Sequence, residues 1–412
     1  MSEHSMKVPN FAGWDEQVLR EICSTVSRGT APIYVEHSPI RAIGQRCVQN
    51  SGFDVSFARL HDKRATRVLR AQQGDVLLNS TGTGTIGRSC IFNDLGDFMV
   101  DGHVTVLRVE PSCADPRWIN SLLRSQWGQK HLESHCYTGS TNQMELSRKE
   151  LERTSVPVPP LVEQRRIAEI LDALDTQIAH TERTISKSQE VKKGLLSELS
   201  SNYFSEGEHS TLGELGELIT SGSRGWAEYY SDDGALFVRI GNLTREHINL
   251  RLTGKVFVRP PATSDGKRTS LHRDDVLISI TADLGIIGVV PDGLGDAYVN
   301  QHIALVRLSP IVNPRWVGHM LASRHGQRQF QLGNDSGAKA GLNLPAISRI
   351  CVPILGRDIE DHLAAMLDEQ DARIHRLKGD REKLGLLKQG LMEDLLTGRV
   401  RVPEAEAVLE DL

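Results

Sequence analysis

Cysteine is scarce in this chain and scattered. Cys23, Cys47, Cys90, Cys113, Cys136 and Cys351 form no C-x-x-C pair. That excludes a disulfide framework or a zinc knuckle, and leaves free thiols of a reducing compartment as the expectation. His135-Cys136 adjoin but have no further partner at ligand spacing. Long apolar runs are missing too. None approaches the ~18 residues that span a bilayer, and the opening Met-Ser-Glu-His-Ser-Met-Lys lacks the apolar centre of a signal peptide. A cytoplasmic protein without a membrane segment is expected. Catalytic signatures are likewise absent: no H-E-x-x-H, G-x-S-x-G, kinase set, or Asn/Asp-Pro-Pro-aromatic motif. No catalytic residue, cofactor or metal is therefore expected in the chain itself. The paired carboxylates Glu360-Asp361 fall on a predicted helix and read as solvated.

One glycine-rich stretch resembles a phosphate cradle. Gly82, Gly84 and Gly87 in Ser80–Arg88 have G-x-G-x-x-G spacing. A dinucleotide fold needs a helix after the glycines. Here Ser89-Cys-Ile-Phe, a turn at Asp94-Leu-Gly-Asp, and Phe98-Met-Val follow, which reads as strand, turn, strand. A hairpin loop fits better than a nucleotide site.

The most informative feature present is an internal repeat. Asp75-Val-Leu-Leu returns as Asp275-Val-Leu-Ile, Gly102-His-Val as Gln301-His-Ile, Pro116-Arg-Trp as Pro314-Arg-Trp, and Val156-Pro as Val352-Pro. Two homologous lobes of roughly 200 residues follow, with a pseudo-two-fold arrangement as the default. The glycine loop differs between them, since Thr281-Ala-Asp-Leu-Gly stands where Thr81-Gly-Thr-Gly stood. A phosphate cradle would be lost there, whereas loops reading different ligands are expected to differ.

Each lobe has a globular front and a helical back. Short β-like runs broken by Gly, Asn and Asp make the fronts mixed α/β (α+β), mainly antiparallel and curved. The backs carry apolar residues at alternating steps of four and three. In the first these are Ile167, Leu171, Leu174, Ile178, Ile185, Leu195 and Leu199, with Thr181, Ser188 and Lys192 at polar seam positions. In the second they are Leu363, Leu367, Ile374, Leu377, Leu384, Leu391 and Leu395, with Gln370, Arg381 and Lys388. Two matching seams predict an antiparallel coiled-coil pair of about 35 residues each, roughly 50 Å long.

A formal net charge of −5 is unusual for a nucleic-acid binder acting alone. Even so, basic residues recur beside loops rich in Gly, Ser, Thr, Asn and Gln. The candidate contacts are Lys63, Arg64, Thr81, Gly82, Thr83, Gly84, Thr85, Arg88, Ser140, Thr141, Asn142 and Gln143 in the first front. In the second they are Arg224, Arg239, Asn242, Lys267, Arg268, Thr281, Asn300, Gln301 and Lys339. Such loops bring backbone N–H groups to phosphates and amide side chains to base edges.

The stretch Val156-Pro-Val-Pro-Pro-Leu-Val-Glu-Gln-Arg-Arg-Ile-Ala-Glu-Ile-Leu-Asp resembles the central conserved region of type I restriction–modification specificity subunits. Lys388-Gln-Gly-Leu-Met-Glu-Asp-Leu-Leu-Thr-Gly-Arg-Val resembles their distal conserved region. The resemblance implies a first target recognition domain (1–158), a central spacer helix (159–204), a second recognition domain (205–353) and a distal spacer helix (354–400). An acidic tail (401–412) would follow. Each front would read half of a bipartite site in double-stranded DNA, and the helices would set the gap and dock two modification subunits. Those would methylate adenine at N6 with S-adenosylmethionine; restriction subunits, using ATP and Mg, would join through the complex. Two alternatives from the residues alone are a coiled-coil protein-binding scaffold and a methyltransferase with an unrecognised site. The second lobe departs from the pattern, with Ile354-Leu-Gly-Arg-Asp-Ile-Glu-Asp in place of Pro-Pro-Leu-Val-Glu-Gln.

Overall fold

A computed structural model of the chain describes residues 9–64, 67–140, 143–222, 225–260, 264–333 and 341–410. The chain divides into two compact units, Met1–Glu182 with Gly379–Leu412, and Arg183–Lys378.

The front of unit 1 is built from β1 (Asp15–Val18), β2 (Cys23–Arg28), β3 (Ile40–Ile43), β4 (Arg59–His61), β5 (Val76–Asn79), β6 (Ser89–Ile91), β7 (Asp97–Val100) and β8 (Val104–Val109). Two helices, α1 (Pro116–Arg124) and α2 (Gln126–His131), and a last strand, β9 (Ser155–Val158), complete it. The 46-residue helix α3 (Leu161–Glu206) follows. The second front repeats the plan with β10 (Glu208–Thr211), β11 (Gly216–Ser221), β12 (Ala235–Val238), β13 (Val276–Ser279), β14 (Ile287–Val289), β15 (Ala297–Val299) and β16 (Ile303–Leu308). Helices α4 (Pro314–Ala322) and α5 (Arg324–Leu332) and strand β17 (Cys351–Ile354) close it. Then come the 41-residue helix α6 (Arg357–Thr397) and α7 (Val402–Glu410). The helices exceed the expected 35 residues. The segment read as an acidic tail is largely helical, and its Ala405 is fully buried.

In unit 1 the main sheet is antiparallel, in the order β2-β8-β5-β6, and unit 2 repeats it as β11-β16-β13-β14. The centre strands β5 and β13 are buried at every position, as continuous apolar runs covered on both faces should be. Each unit also contains one parallel pairing the repeat did not reveal, β3 with β7 and β12 with β15. The glycine loop is the hairpin connection expected, joining β5 to the antiparallel β6.

The same bonds fix the frame of both fronts. Arg108 forks onto buried Asp75 with two contacts of 2.8 Å, and Arg307 onto buried Asp275 at 2.8 and 2.7 Å. The Trp118 indole donates to the Pro157 carbonyl and Trp316 to Pro353, both at 3.0 Å. Asp115 and Asn313 cap α1 and α4, each followed by proline at the first helical position. Gly128 and Gly326 follow the next caps, Ser125 and Ser323. A Cβ at Gly128 would lie 2.0 Å from the Leu122 carbonyl oxygen, and one at Gly326 2.4 Å from that of Met320. All six cysteines are free thiols, and burial pushes those of Cys23 and Cys90 up to about 12.

Each unit contains half of each long helix, paired antiparallel. In unit 1 Glu163 meets Arg401, Asp175 meets Lys388, and Glu182 meets Arg381. In unit 2 Lys192 meets Asp371, while Leu199 and Tyr203 share a cluster with Leu363 and Ala364. Of the expected seam, Ile167, Leu171, Leu174, Ile185, Leu367, Ile374, Leu391 and Leu395 are buried; Ile178, Leu195, Leu199, Leu363, Leu377 and Leu384 are half-buried. Thr181 and Ser188 lie buried in it. Two polar assignments change. Arg381 is exposed, reaching sideways to Glu182, and at the next polar position of the seam it is Asp371 that is buried, while Gln370 is half-buried.

Glu360 is not solvated. It is fully buried, accepting the backbone N–H of Asn313 at 2.7 Å and of Leu355 at 3.1 Å. Gln164 fills the equivalent slot in unit 1, accepting the Asp115 N–H at 2.8 Å. The departure of the second lobe from the family pattern thus preserves the bond that seats the helix. Asp361 is exposed, as expected.

Candidate nucleic-acid interface

In unit 1, β5 delivers the chain into the glycine loop at one end of the main sheet, where β8 begins. Gly82, Gly84 and Gly87 have φ of 98°, 76° and 82°, a region that favours glycine. The loop closes on itself through Thr85 N–H to the Gly82 carbonyl at 3.0 Å and Gly87 N–H to Asn79 at 2.9 Å. Arg88 donates back to the Gly84 carbonyl at 2.7 Å. A Cβ on Gly82 would meet Thr85 Oγ1 at 2.4 Å and Gln45 Oε1 at 2.6 Å. The glycines therefore serve the turn. Thr83 and Gly84 are exposed at its tip, and Thr81, Gly82, Thr85 and Arg88 are half-buried behind it.

Thr81 is held by two residues not singled out in the sequence. Its hydroxyl accepts from Gln45 Nε2 at 2.5 Å and pairs with His103 Nδ1 at 2.8 Å. Unit 2 repeats the pairing, with Thr281 Oγ1 2.9 Å from His302 Nδ1, and the Gln301 amide 3.1 Å from His302 Nε2. The recurring Gly102-His and Gln301-His dipeptides were the available signal. The two loops differ in chemistry. Ala282 (φ 58°) replaces a glycine, and exposed Asp283 binds Arg245, which also reaches Gln327 at 2.8 Å.

Other candidates fall elsewhere. Lys63 and Arg64 follow β4, in the smaller sheet of unit 1. Lys63 is exposed. Arg64 forks onto Asp62, and hydrogen bonds from Arg64 hold that carboxyl at about 2, so its charge is compensated locally. Ser140 and Gln143 are exposed on the loop before β9, closed by Gln143 N–H to Ser140 at 2.8 Å. Lys267 is exposed on the short helix Ser264–Thr269. Thr141, Asn142, Arg224 and Lys339 lie outside the described residues.

Some candidates are engaged within the fold. Asn242 is buried, accepting the Arg239 N–H at 2.9 Å and donating to the Arg251 carbonyl at 2.8 Å. Asn300 is buried, with Oδ1 accepting the His302 N–H at 3.2 Å. Both amides organise turns. Arg268 is half-buried, bonded to the Ser221 carbonyl at 2.6 Å and to Thr220; it ties its helix to the end of β11. Arg239 is half-buried beside Asn242.

Residues 68–190 match the family described as the type I restriction modification DNA specificity domain. The chain is 24% identical over 345 residues to a putative type I restriction enzyme specificity subunit, MjaX, of Methanocaldococcus jannaschii, covering 80% of this chain and 79% of that one. It is 23% identical over 248 residues to the EcoBI specificity subunit of Escherichia coli, covering 53% and 51%. Its fold is similar to that of a type I restriction–modification S subunit from M. genitalium, with a TM-score of 0.58 at 14% identity over 96% of this chain and 98% of that one. A chain from a type I restriction–modification assembly gives 0.56 at 17% identity over 94% and 98%. The duplicated fronts, the long paired helices and these likenesses agree: the chain is similar to the DNA specificity subunits of type I restriction–modification systems, and its residues 68–190 match their DNA specificity domain.

Proposed function

We propose that each unit reads one half of a bipartite site in double-stranded DNA, that the paired helices set the gap, and that two modification subunits dock on the chain. Those subunits bring S-adenosylmethionine and methylate adenine at N6. Restriction subunits, with ATP and Mg, join through the same complex, and the chain itself supplies neither cofactor nor catalytic group. The observation that carries this reading is that one frame is built twice around different loops. The Asp75–Arg108 and Asp275–Arg307 forks and the two Trp-to-carbonyl bonds hold equivalent sheets. The exposed tips are Thr83-Gly84 in one and Ala282-Asp283 in the other. Equal frames with unequal tips suit two readers of different sequence, since base contacts specify while the scaffold positions.

The test is methylome sequencing of a host with and without the gene, followed by exchange of residues 15–157 for the homologous front of a relative. A split methylated motif should vanish with the gene, and the exchange should alter one half of it. Alteration of both halves would refute the assignment of one half-site to each unit.

A further inference from the structure

Unit 1 has a polar recess of about 770 Å³ between its front and α3. Small-molecule sites commonly enclose roughly 300–1,000 Å³. Its walls are α1, the turn after β6, α3, and the short hairpin that pairs Val48-Gln49 with Gly52-Phe53. Asn120 of α1 lines it. This residue is 7% exposed, and its Oδ1 is buried without a hydrogen-bond partner among the described residues. The repeat shows that the frame does not require an amide here. Asn120 corresponds to Gly318, where a Cβ would meet Val289 Cγ2 at 2.9 Å and Ile248 Cδ1 at 3.3 Å. Unit 2 packs the spot with aliphatic side chains, whereas unit 1 places an unsatisfied acceptor in the wall of a recess.

Four carboxylates line this recess against two guanidiniums. Asp175 is served twice, by Arg124 at 3.4 Å and by Lys388. Arg117 divides itself between Asp115 at 3.0 Å and Asp172 at 3.2 Å. Asp94 has no cationic partner among the described residues; its Oδ1 accepts the Gly96 N–H at 2.8 Å. The unmet negative charge is therefore at Asp94, on the turn after β6, and at Asp172, on α3. These charges do not converge on one point. Among the described residues, the His and carboxylate side chains close enough together to hold one metal ion are His319, Asp368 and Asp371, in unit 2. Phe53, Val55 and Ile91 add apolar surface to the same recess.

We infer that this recess binds an aliphatic diamine or polyamine. One ammonium sits at Asp94 and another at Asp172, the methylenes lie over Phe53, Val55 and Ile91, and Asn120 Oδ1 accepts an ammonium N–H. The chemistry of the walls selects this class. An inorganic cation needs several oxygen ligands around one point, and these carboxylates are spread over separate elements. An anion would meet a surplus of carboxylates. A wholly apolar ligand would strip the water from Asp94 and Asp172 and return no hydrogen bond. A ligand with separated charges on an apolar stem satisfies the acids, the amide and the apolar wall together. Bound there, it ties Asp94 of the front to Asp172 of α3 and stiffens that junction in unit 1.

The test is calorimetric titration of the full chain with 1,4-diaminobutane and spermidine, against n-butylamine and magnesium chloride at matched ionic strength. The diamine or spermidine should fill one saturable site per chain, and n-butylamine should bind about tenfold more weakly, having lost one charge-assisted contact. Asp94→Asn keeps an acceptor for the Gly96 N–H, so the turn survives, and should weaken binding about tenfold. Asn120→Leu removes the amide and should do the same; if it fails to fold in a thermal melt, Asp94→Asn carries the test. Asp232→Asn, at an exposed acid of unit 2, should match wild type. The site is overturned by the absence of a saturable site, by n-butylamine or magnesium binding as tightly as the diamine, or by unchanged affinity in Asp94→Asn. Equal weakening in Asp232→Asn and Asp94→Asn overturns it too, because it would mean general attraction to a chain of net charge −5.

Discussion

Lys192 of α3 and Asp371 of α6 form in unit 2 the ion pair that Lys388 and Asp175 form in unit 1, with the helices exchanging roles. The second-unit pair is the drier. Its side chains are 13% and 3% exposed, whereas Asp175 is 39% exposed. Lys192 also donates to the Glu246 carbonyl at 2.9 Å. Asp371 Oδ2 is buried without a hydrogen-bond partner, which makes Asp371 depend on Lys192.

Removing Lys192 alone should therefore destabilise strongly. Lys192→Met leaves a buried, uncompensated carboxylate, at a cost of about 3–5 kcal/mol. Lys192→Met/Asp371→Leu should recover most of that, because isosteric apolar replacement of a buried pair is often neutral. Lys388→Met should cost less, since water reaches Asp175. Urea unfolding of the single and double variants checks this; additive effects would show that the residues are not coupled.

Stability should also depend on pH through His319. The ring is fully buried, with Nε2 2.8 Å from Asp368, and burial holds its pKa below the ordinary value. The folded state keeps it neutral, while the unfolded chain binds a proton near pH 6.5. Its contribution is thus complete above about pH 6.5 and is lost as pH falls below it. Burial raises Asp368, but hydrogen bonds from His319 and Arg315 outweigh it and hold the carboxyl at about 2; that contribution fades only below the unfolded carboxylate range, about pH 4. Thermal melts between pH 8 and 5 should show a decline that His319→Gln flattens.

The salt dependence of DNA binding should separate two neighbours. Lys63→Ala should flatten the slope of log affinity against log salt by roughly one unit if the ammonium neutralises a phosphate. Arg64→Ala should change it less, since Arg64 is already engaged by Asp62. Equal effects would mean that Arg64 leaves Asp62 when DNA binds.

If the helices set the gap, lengthening both should widen it. Seven residues added to each, near Ser186 in α3 and Arg381 in α6, keep the seam in phase and add about 10 Å. That is about three base pairs of B-DNA, with both half-site sequences unchanged. Methylome sequencing reads the gap directly. An unchanged gap would leave the helices as docking elements alone.

The sequence disclosed what recurs and concealed what depends on a neighbour. The repeat was legible because Asp75, Trp118, Pro157 and their counterparts are the frame itself. Helix pairing was legible from the seam, yet its phase slips by one residue, from Gln370 to Asp371, where a lysine on the facing helix takes the acid. Glu360 looked solvated because a helix start rich in charge usually is; its burial is set by the Asn313 backbone, 47 residues away. The turn bonds of buried Asn242 and Asn300 were not legible, because an amide that organises a turn and one that faces a base have the same local sequence. His103 escaped notice because its hydroxyl partner, Thr81, is distant in sequence.

The duplicated Asp75–Arg108 fork has one more implication, for how such a protein can change over generations. The forks, indole bonds and caps repeated in both units lie in the sheets and at the helix ends, and none of them uses the side chain of a loop-tip residue. A substitution at exposed Thr83 is therefore felt at the surface and not by the scaffold. One half can drift toward a new preference while the other keeps its own. Innovation and foldability are uncoupled in the same chain.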